Sequence, residues 1–306
     1  MPVEYREEPC RSALNKVKGM SFSWSLNPYM GCVHRCTFCY VRSFEQRAGR
    51  PGDARYGSSI RVKINVVDVL RRELGRRSWQ RELVAFGSAT DPYQPAEGRY
   101  RLTRGCIEAL MDFDTPLSLI TRGPMVVRDI DLLATAARAS GATVTLSIPT
   151  LDDRIWRATE PETAHPRQRL RALARLRAAG IPAGVGMAPL LPGLSDDPSL
   201  VAAVVRAARD AGATHLWWNV LNLKPGTKEY FIDALAREWP EELGRYEAMY
   251  ADRAYLPTGN TKPIDLMMSE LKGEWPVVGR RPPLKVRGRP SPATAAGPIA
   301  ASRSAP

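Results

Sequence analysis

Five short apolar runs, each separated from the next by a stretch of helical periodicity, constrain the fold of this chain more than any other feature. They are LVAFGSA (83–89), LSLITR (117–122), TVTLSIP (143–149), AGVGMAP (183–189) and HLWWNVLNL (215–223). Each is short, partly β-branched or aromatic and almost continuously hydrophobic, the pattern of a strand covered on both faces. The segments between them read as helices with defined ends. Thr103 is placed to cap RGCIEALMD, Asp197 and Pro198 supply a cap and a first-turn proline to SLVAAVVRAARDA, and Gly212 stops that helix. In PRQRLRALARLRAAG, Leu170, Leu173 and Leu176 share a stripe, Arg167, Arg171 and Arg175 face outward, and Gly180 ends the helix. A first strand over about residues 23–30 and a helix at NVVDVLRREL (65–74) bring the count to six strand-then-helix units. Right-handed crossovers then predict an α/β fold with parallel strands closing into a barrel or part of one, its functional loops at the C-terminal strand ends. A doubly wound open sheet is the alternative.

The 306 residues suffice for one barrel-sized domain, since such folds take roughly 250. No apolar run approaches the ~18 residues of a membrane span, and the start, MPVEYREEPC, is polar and acidic rather than signal-like. The expectation is a cytoplasmic protein without membrane contact, its thiols reduced. Net charge is +12, and half of it sits on Arg280, Arg281, Lys285, Arg287, Arg289 and Arg303, beyond residue 274, where no acid occurs. That balance suits nucleic acid, although a general preference for arginine gives the same figure. From Pro282 the composition is Pro, Ala, Ser, Gly and Arg, which predicts a disordered basic tail. Within it KVRGRP (285–290) resembles an AT-hook, whose arginines enter a narrow A·T minor groove. The expected organisation is an N-terminal extension (1–22), a core (23–228), a helical C-terminal extension (229–281) and the tail (282–306).

Immediately after the first predicted strand comes NPYMGCVHRCTFCY (27–40), which holds three of the chain's five cysteines. Three thiolates on one loop are soft ligands, suited to zinc or to an iron–sulfur cluster. Structural zinc wants four paired ligands, and the nearest fourth donor, His34, lies between two of the cysteines. A cubane [4Fe–4S] cluster usually takes four cysteines, so three leave one iron open to a substrate or cofactor.

In their spacing, with an aromatic before the last, Cys32, Cys36, Phe38 and Cys39 resemble the signature of the radical S-adenosylmethionine superfamily. GSATDPYQPAEGRYRLTR (87–104), LITRGPMVVRDIDLL (119–133), LSIPTLDD (146–153) and MAPLLPGLSDD (187–197) further resemble its spore photoproduct lyase-like branch. The resemblance implies a partial (β/α)6 TIM-like barrel and a [4Fe–4S] cluster held by Cys32, Cys36 and Cys39. The methionine end of S-adenosylmethionine would chelate the fourth iron. It also implies an electron donor such as flavodoxin or ferredoxin and a 5′-deoxyadenosyl radical that abstracts hydrogen from a substrate. By the same resemblance Phe38 flanks the adenine, Gly87, Ser88, Ala89 and Thr90 meet the methionine amino group, and Arg122 meets the methionine carboxylate. Ser147 would reach the ribose, while Met187 and Ala188 would wall the adenine.

Asp91, Tyr93, Gln94 and Glu97 crowd the loop after the second strand and are candidates to face substrate, Tyr93 as a hydrogen-atom relay. His34 reads as a solvent-side loop residue, and Cys10 and Cys106 as inert thiols. One departure bears on the reaction. The lyase that gives the branch its name carries a hydrogen-donating cysteine in the segment resembling GSATDP, where Ser88 stands here. A serine O–H bond is too strong for that role, so repair of thymine dimers by that route is not expected. Rival expectations are a nucleic-acid-binding protein with a structural or redox-sensing cluster and the basic tail as its arm, and a zinc-stabilised barrel.

Overall fold

Residues 2–273 are described by a computed structural model. The chain begins with β1 (Glu4–Glu8), β2 (Leu14–Lys16), β3 (Trp24–Leu26) and β4 (Tyr29–Met30), followed by α1 (Val41–Arg47) and β5 (Ser59–Lys63). After α2 (Val66–Leu74) come β6 (Val84–Phe86), α3 (Ala96–Tyr100), α4 (Leu102–Asp112), β7 (Leu117–Thr121) and α5 (Ile130–Ala139). Next are β8 (Ala142–Ser147), α6 (Asp153–Thr159), α7 (Pro166–Ala178), β9 (Ala183–Leu190), α8 (Pro198–Asp210) and β10 (Leu216–Val220). Helices α9 (Lys228–Glu238), α10 (Leu243–Met249) and α11 (Thr258–Lys272) complete the described chain.

All six predicted parallel strands are neighbours in one sheet, in the order β10-β9-β8-β7-β6-β3, with β2 added antiparallel to β3. Strand order follows chain order, so every crossover moves one place in the same direction. This is the progression of a β/α barrel rather than the reversing order of a doubly wound sheet. β2 and β10 form the two edges of the sheet. Val84, Phe86, Leu117, Leu119, Val144, Leu146, Val185 and Met187 are all inaccessible to solvent and join one core with Ile107, Leu110, Leu133, Leu173 and Leu176 from the helices.

Two local expectations are corrected. The single strand foreseen over 23–30 is two strands in different sheets, because Pro28 has no N–H to continue a ladder and Lys63 N donates to its carbonyl at 3.1 Å. Past that break β4 pairs with β5, and β5 with β1, in a small second sheet. Its signal was the alternation in SIRVK, where Ile60 and Val62 are fully buried. Nor does Thr103 cap its helix. α4 begins two residues earlier, at Leu102 after a left-handed Arg101, and Glu97 from α3 accepts from Thr103 N at 2.8 Å and Arg104 N at 3.2 Å. The Thr103 hydroxyl donates to Pro92 O instead, at 2.7 Å. By contrast, the Asp197 carboxylate does accept from Ser199 N and Leu200 N at the start of α8.

Leu221, Leu223, Phe231, Leu235, Trp239, Tyr246 and Tyr250 form a second apolar cluster that includes Cys36 and Phe38. The chain beyond β10 therefore packs against the cysteine loop. α11 instead adds Ile264 and Met268 to the main core. The expected basic tail lies outside the described residues. Among those described, no helix is long and apolar enough to cross a membrane.

Candidate functional site

Parallel strands put all their C-terminal ends on one rim, and the cysteine loop, residues 31–40, lies on that side between β4 and α1. Its conformation is held by main-chain contacts from several elements. Gly31 O accepts from Thr90 Oγ1 at 2.6 Å and Gln94 Nε2 at 3.1 Å, while Val33 N donates to Gln94 Oε1 at 3.2 Å. Thr37 N donates to Thr159 O at 2.9 Å, and the buried Thr227, just before α9, donates its hydroxyl to Cys39 O at 3.1 Å. Gly57 (φ +79°) backs so closely onto the loop that a Cβ there would lie 2.3 Å from Cys32 O. No other residue fits that approach.

Cys32 and Cys36 are buried and Cys39 is partly exposed. Burial pushes the Cys36 and Cys39 thiols up, the neighbouring sulfurs add to this, and Arg122 opposes it at Cys36. Crowded thiols that resist becoming anions together are relieved when each binds a cation, so this donor set fits an iron–sulfur cluster. Among the described residues, no three of His, Cys, Asp or Glu are disposed around a single ion position. A cluster asks for something different, one thiolate at each of three separate irons.

Around the thiols stand the residues expected at the strand ends. Gly87 (φ +81°) follows β6 where a Cβ would lie 2.1 Å from Ile120 O. The next turn is gripped by Asn27, whose Nδ2 donates to Ser88 Oγ at 3.2 Å and whose Oδ1 accepts from Ala89 N at 3.0 Å. Tyr40 donates its hydroxyl to Ser88 O. Arg122 follows β7, its guanidinium carbon 5.5 Å from the centre of the Phe38 ring, and it donates to Ala188 O at 3.2 Å and to Glu160. Ser147 Oγ reaches the same Ala188 carbonyl at 3.4 Å. The structure thus brings together Cys36, Phe38, Arg122, Ser147 and Ala188.

Other residues are placed differently from the expectation. His34 is not on the solvent side: it is 5% exposed and lies 3.3 Å from Asp91. Burial disfavours its charge, but Cys32 and Asp91 outweigh that and push it up to about 10. Asp91 likewise faces inward, accepting from Thr121 Oγ1 at 2.5 Å, Arg122 N at 2.6 Å and Tyr93 N at 2.9 Å. Despite its burial, His34 and these donors bring it down to about 2. Gln94 serves the cysteine loop, and Glu97 binds Tyr29, Arg128 and the start of α4. Tyr93 is 1% exposed with its ring in the main core, and its hydroxyl donates to Asp129 at 3.0 Å, in a network with Arg104 and Arg128. Met187 is fully buried in that same core. Cys106 and Cys10 do not depart from the inert thiols expected: Cys106 is buried and Cys10 partly so, and burial pushes both thiols up.

Sequence reasoning overlooked the residue that engages Arg122. Glu160, fully buried, is held between Arg122 and a fully buried Arg169, which donates to its two oxygens at 3.2 and 3.0 Å. Arg169 also donates to Ser147 O at 2.8 Å and Thr163 Oγ1 at 2.5 Å. A signal existed, since Arg169 lies four and seven residues before Leu173 and Leu176 and so on their buried stripe. For Glu160, in the irregular ATEPETAHP, there was none.

A family model described as the Radical SAM superfamily matches residues 26–212. An uncharacterised protein of Mycobacterium tuberculosis is 36% identical over 284 residues, spanning 92% of this chain and 84% of the relative. Over 168 residues the chain is 30% identical to a radical SAM Nalpha-GlyT isomerase of Pseudomonas phage M6, covering 55% of this chain and 33% of that protein. Among solved structures, spore photoproduct lyase with bound AdoMet and dinucleoside spore photoproduct superposes with a TM-score of 0.64 at 17% identity, covering 89% of this chain and 79% of that one. At that identity the likeness concerns the fold alone.

Proposed function

This chain belongs to the Radical SAM superfamily and is an enzyme using a [4Fe–4S] cluster and S-adenosylmethionine; we propose that its substrate is an unpaired nucleic acid strand. When bound and reduced by a one-electron donor such as flavodoxin or ferredoxin, the pair supplies a 5′-deoxyadenosyl radical that removes a hydrogen atom from the substrate. In this reading Cys32, Cys36 and Cys39 each hold one iron, and Gly87 to Thr90 with Arg122 receive the methionine end of S-adenosylmethionine. Phe38, Ser147 and the Met187–Ala188 backbone border the nucleoside end. Cluster chemistry and reduced thiols suit a cytoplasmic setting.

The observation that carries the substrate reading is a band of exposed aromatic rings and cations beside the thiols. Tyr40, next to Cys39, is 40% exposed, Phe44 37% and Tyr255 59%. The Tyr40 and Phe44 rings meet edge to face at 5.6 Å. Lys224 Nζ lies 6.0 Å from the Phe44 ring centre and 5.6 Å from that of Tyr255, and the Arg47 guanidinium is 4.9 Å from Phe44. Lys224 follows β10 and α1 follows the cysteine loop, so the band lies beside the thiols between the last strand of the sheet and α1. Aromatic faces that stack bases, interleaved with cations that meet phosphates, are what a sequence-tolerant single-strand site requires. The lyase structure holds a dinucleoside spore photoproduct, in keeping with this class.

The test is fluorescence anisotropy of a labelled single-stranded oligonucleotide on the reconstituted protein. Phe44→Ala and Tyr255→Ala should each weaken binding about tenfold, the low-to-middle range for one stacked base. Equal binding by both variants and wild type, or none by wild type, would sink the proposal.

A further inference from the structure

Arg42 is fully buried, yet its donors go to carbonyls rather than to a carboxylate. Nε donates to Cys36 O at 3.2 Å and Nη2 to Arg35 O at 3.0 Å, both in the cysteine loop. Nη1 donates to Gly52 O at 2.9 Å and Asp53 O at 2.7 Å, across the loop that follows α1. The guanidinium is sandwiched between two rings, its carbon 4.7 Å from the centre of Tyr56 and 3.6 Å from that of Tyr230. Each ring leads back to the thiols. The Tyr56 hydroxyl lies 3.7 Å from Cys39 Sγ, and Tyr230 belongs to the helix whose preceding Thr227 binds Cys39 O.

A cation buried without a counter-ion is costly unless its surroundings, or a negative group it serves, compensate. Carbonyl dipoles and two ring faces supply part of that compensation. A cluster carrying three thiolates would add to it, since the guanidinium binds the Cys36 carbonyl and stacks on the ring whose hydroxyl lies beside Cys39 Sγ. Lysine cannot replace it, having neither a planar fork for four carbonyls nor a plane to stack.

We propose that Arg42 is a positioning residue that fixes the cysteine loop in its cluster-holding shape and, as a buried charge, makes the bound cluster easier to reduce. The inference rests on the cluster assignment and not on the nature of the substrate. It also gives the chain after β10 a part in the site, because Tyr230 on α9 forms one face of the sandwich.

The test uses the full chain reconstituted anaerobically, as wild type, R42M, R42K and Y230L. Three properties are measured: the rate at which a chelator strips iron, the reduction potential from an EPR-monitored titration, and the melting temperature before reconstitution. R42M should lose iron about tenfold faster, as expected for charge-assisted hydrogen bonds removed, and its potential should move to a more negative value. R42K, which keeps the charge but not the fork, should strip faster than wild type while its potential stays nearer to it. Y230L should strip faster by loosening the sandwich. An unchanged potential in R42M overturns the proposal even if the variant melts earlier, because a packing role alone lowers stability without moving the potential. Should R42M fail to fold, wild-type stripping rates in both R42K and Y230L overturn it.

Discussion

Replacing Glu160 by glutamine keeps the shape of the side chain and removes its charge, leaving Arg169 and Arg122 without the carboxylate that lies between them. Breaking one partner of a buried ion pair costs about 3–5 kcal/mol. Arg169 is fully buried and Arg122 partly so, and the remaining amide oxygen still accepts a hydrogen bond. The lower end, about 3 kcal/mol, is therefore expected. At about 2–4 °C per kcal/mol for a domain of this size class, the melting temperature should fall by about 6–12 °C. Circular dichroism melts of the two proteins prepared alike measure this, and a cycle with Arg169→Met should be strongly non-additive. The sign of the pH dependence follows from the same site. Burial raises the Glu160 pKa, but Arg169 and Arg122 outweigh it and hold the carboxyl below its ordinary value. Its stabilisation is complete above the unfolded pKa of about 4.3 and is lost as pH falls through the lower folded value. E160Q should flatten that acid limb. A melt within about 1 °C of wild type, or an unaltered acid limb, would refute the view that this carboxylate anchors Arg122.

Cys32→Ala, Cys36→Ala and Cys39→Ala should each abolish the cluster's visible absorbance after reconstitution, whereas Cys10→Ser should leave it intact; iron analysis reads both. Asp91 and His34 stabilise the loop in a defined window. The depressed Asp91 contributes fully above about 3.9 and loses its contribution as pH falls toward about 2. The raised His34 contributes fully below about 6.5 and loses its contribution as pH rises through about 10. The stability gap between wild type and Asp91→Asn should therefore be widest from about pH 4 to 6.5, and a gap independent of pH would exclude the pair as its cause. Deleting residues 282–306 should reduce the salt dependence of oligonucleotide binding while leaving the cluster absorbance unchanged. Loss of all binding on deletion would move the interface from the aromatic band to the tail.

The parallel sheet was legible because a strand covered on both faces needs an unbroken apolar run, and five such runs are separated by helical periodicity. The cysteine loop was legible because three thiols at close spacing have few chemical uses. What stayed hidden was of another kind. Arg42 is one arginine among many in sequence, and only the fold shows that its donors meet four carbonyls between two rings. Glu160 precedes a proline in an irregular segment and acquires meaning only through partners 38 and 9 residues away. Loop polarity was read as substrate-facing at Asp91, Gln94 and Glu97, yet each is turned inward to satisfy buried main-chain groups. Composition cannot distinguish a carboxylate that faces a ligand from one that holds a loop.

The most direct measurement is anaerobic reconstitution of the full chain with iron and sulfide, followed by S-adenosylmethionine and a strong reductant, with 5′-deoxyadenosine quantified by chromatography. The wild type should form 5′-deoxyadenosine and Cys36→Ala should not. Absence of the product from a wild type that holds its full complement of iron would contradict the assignment of radical chemistry to this site.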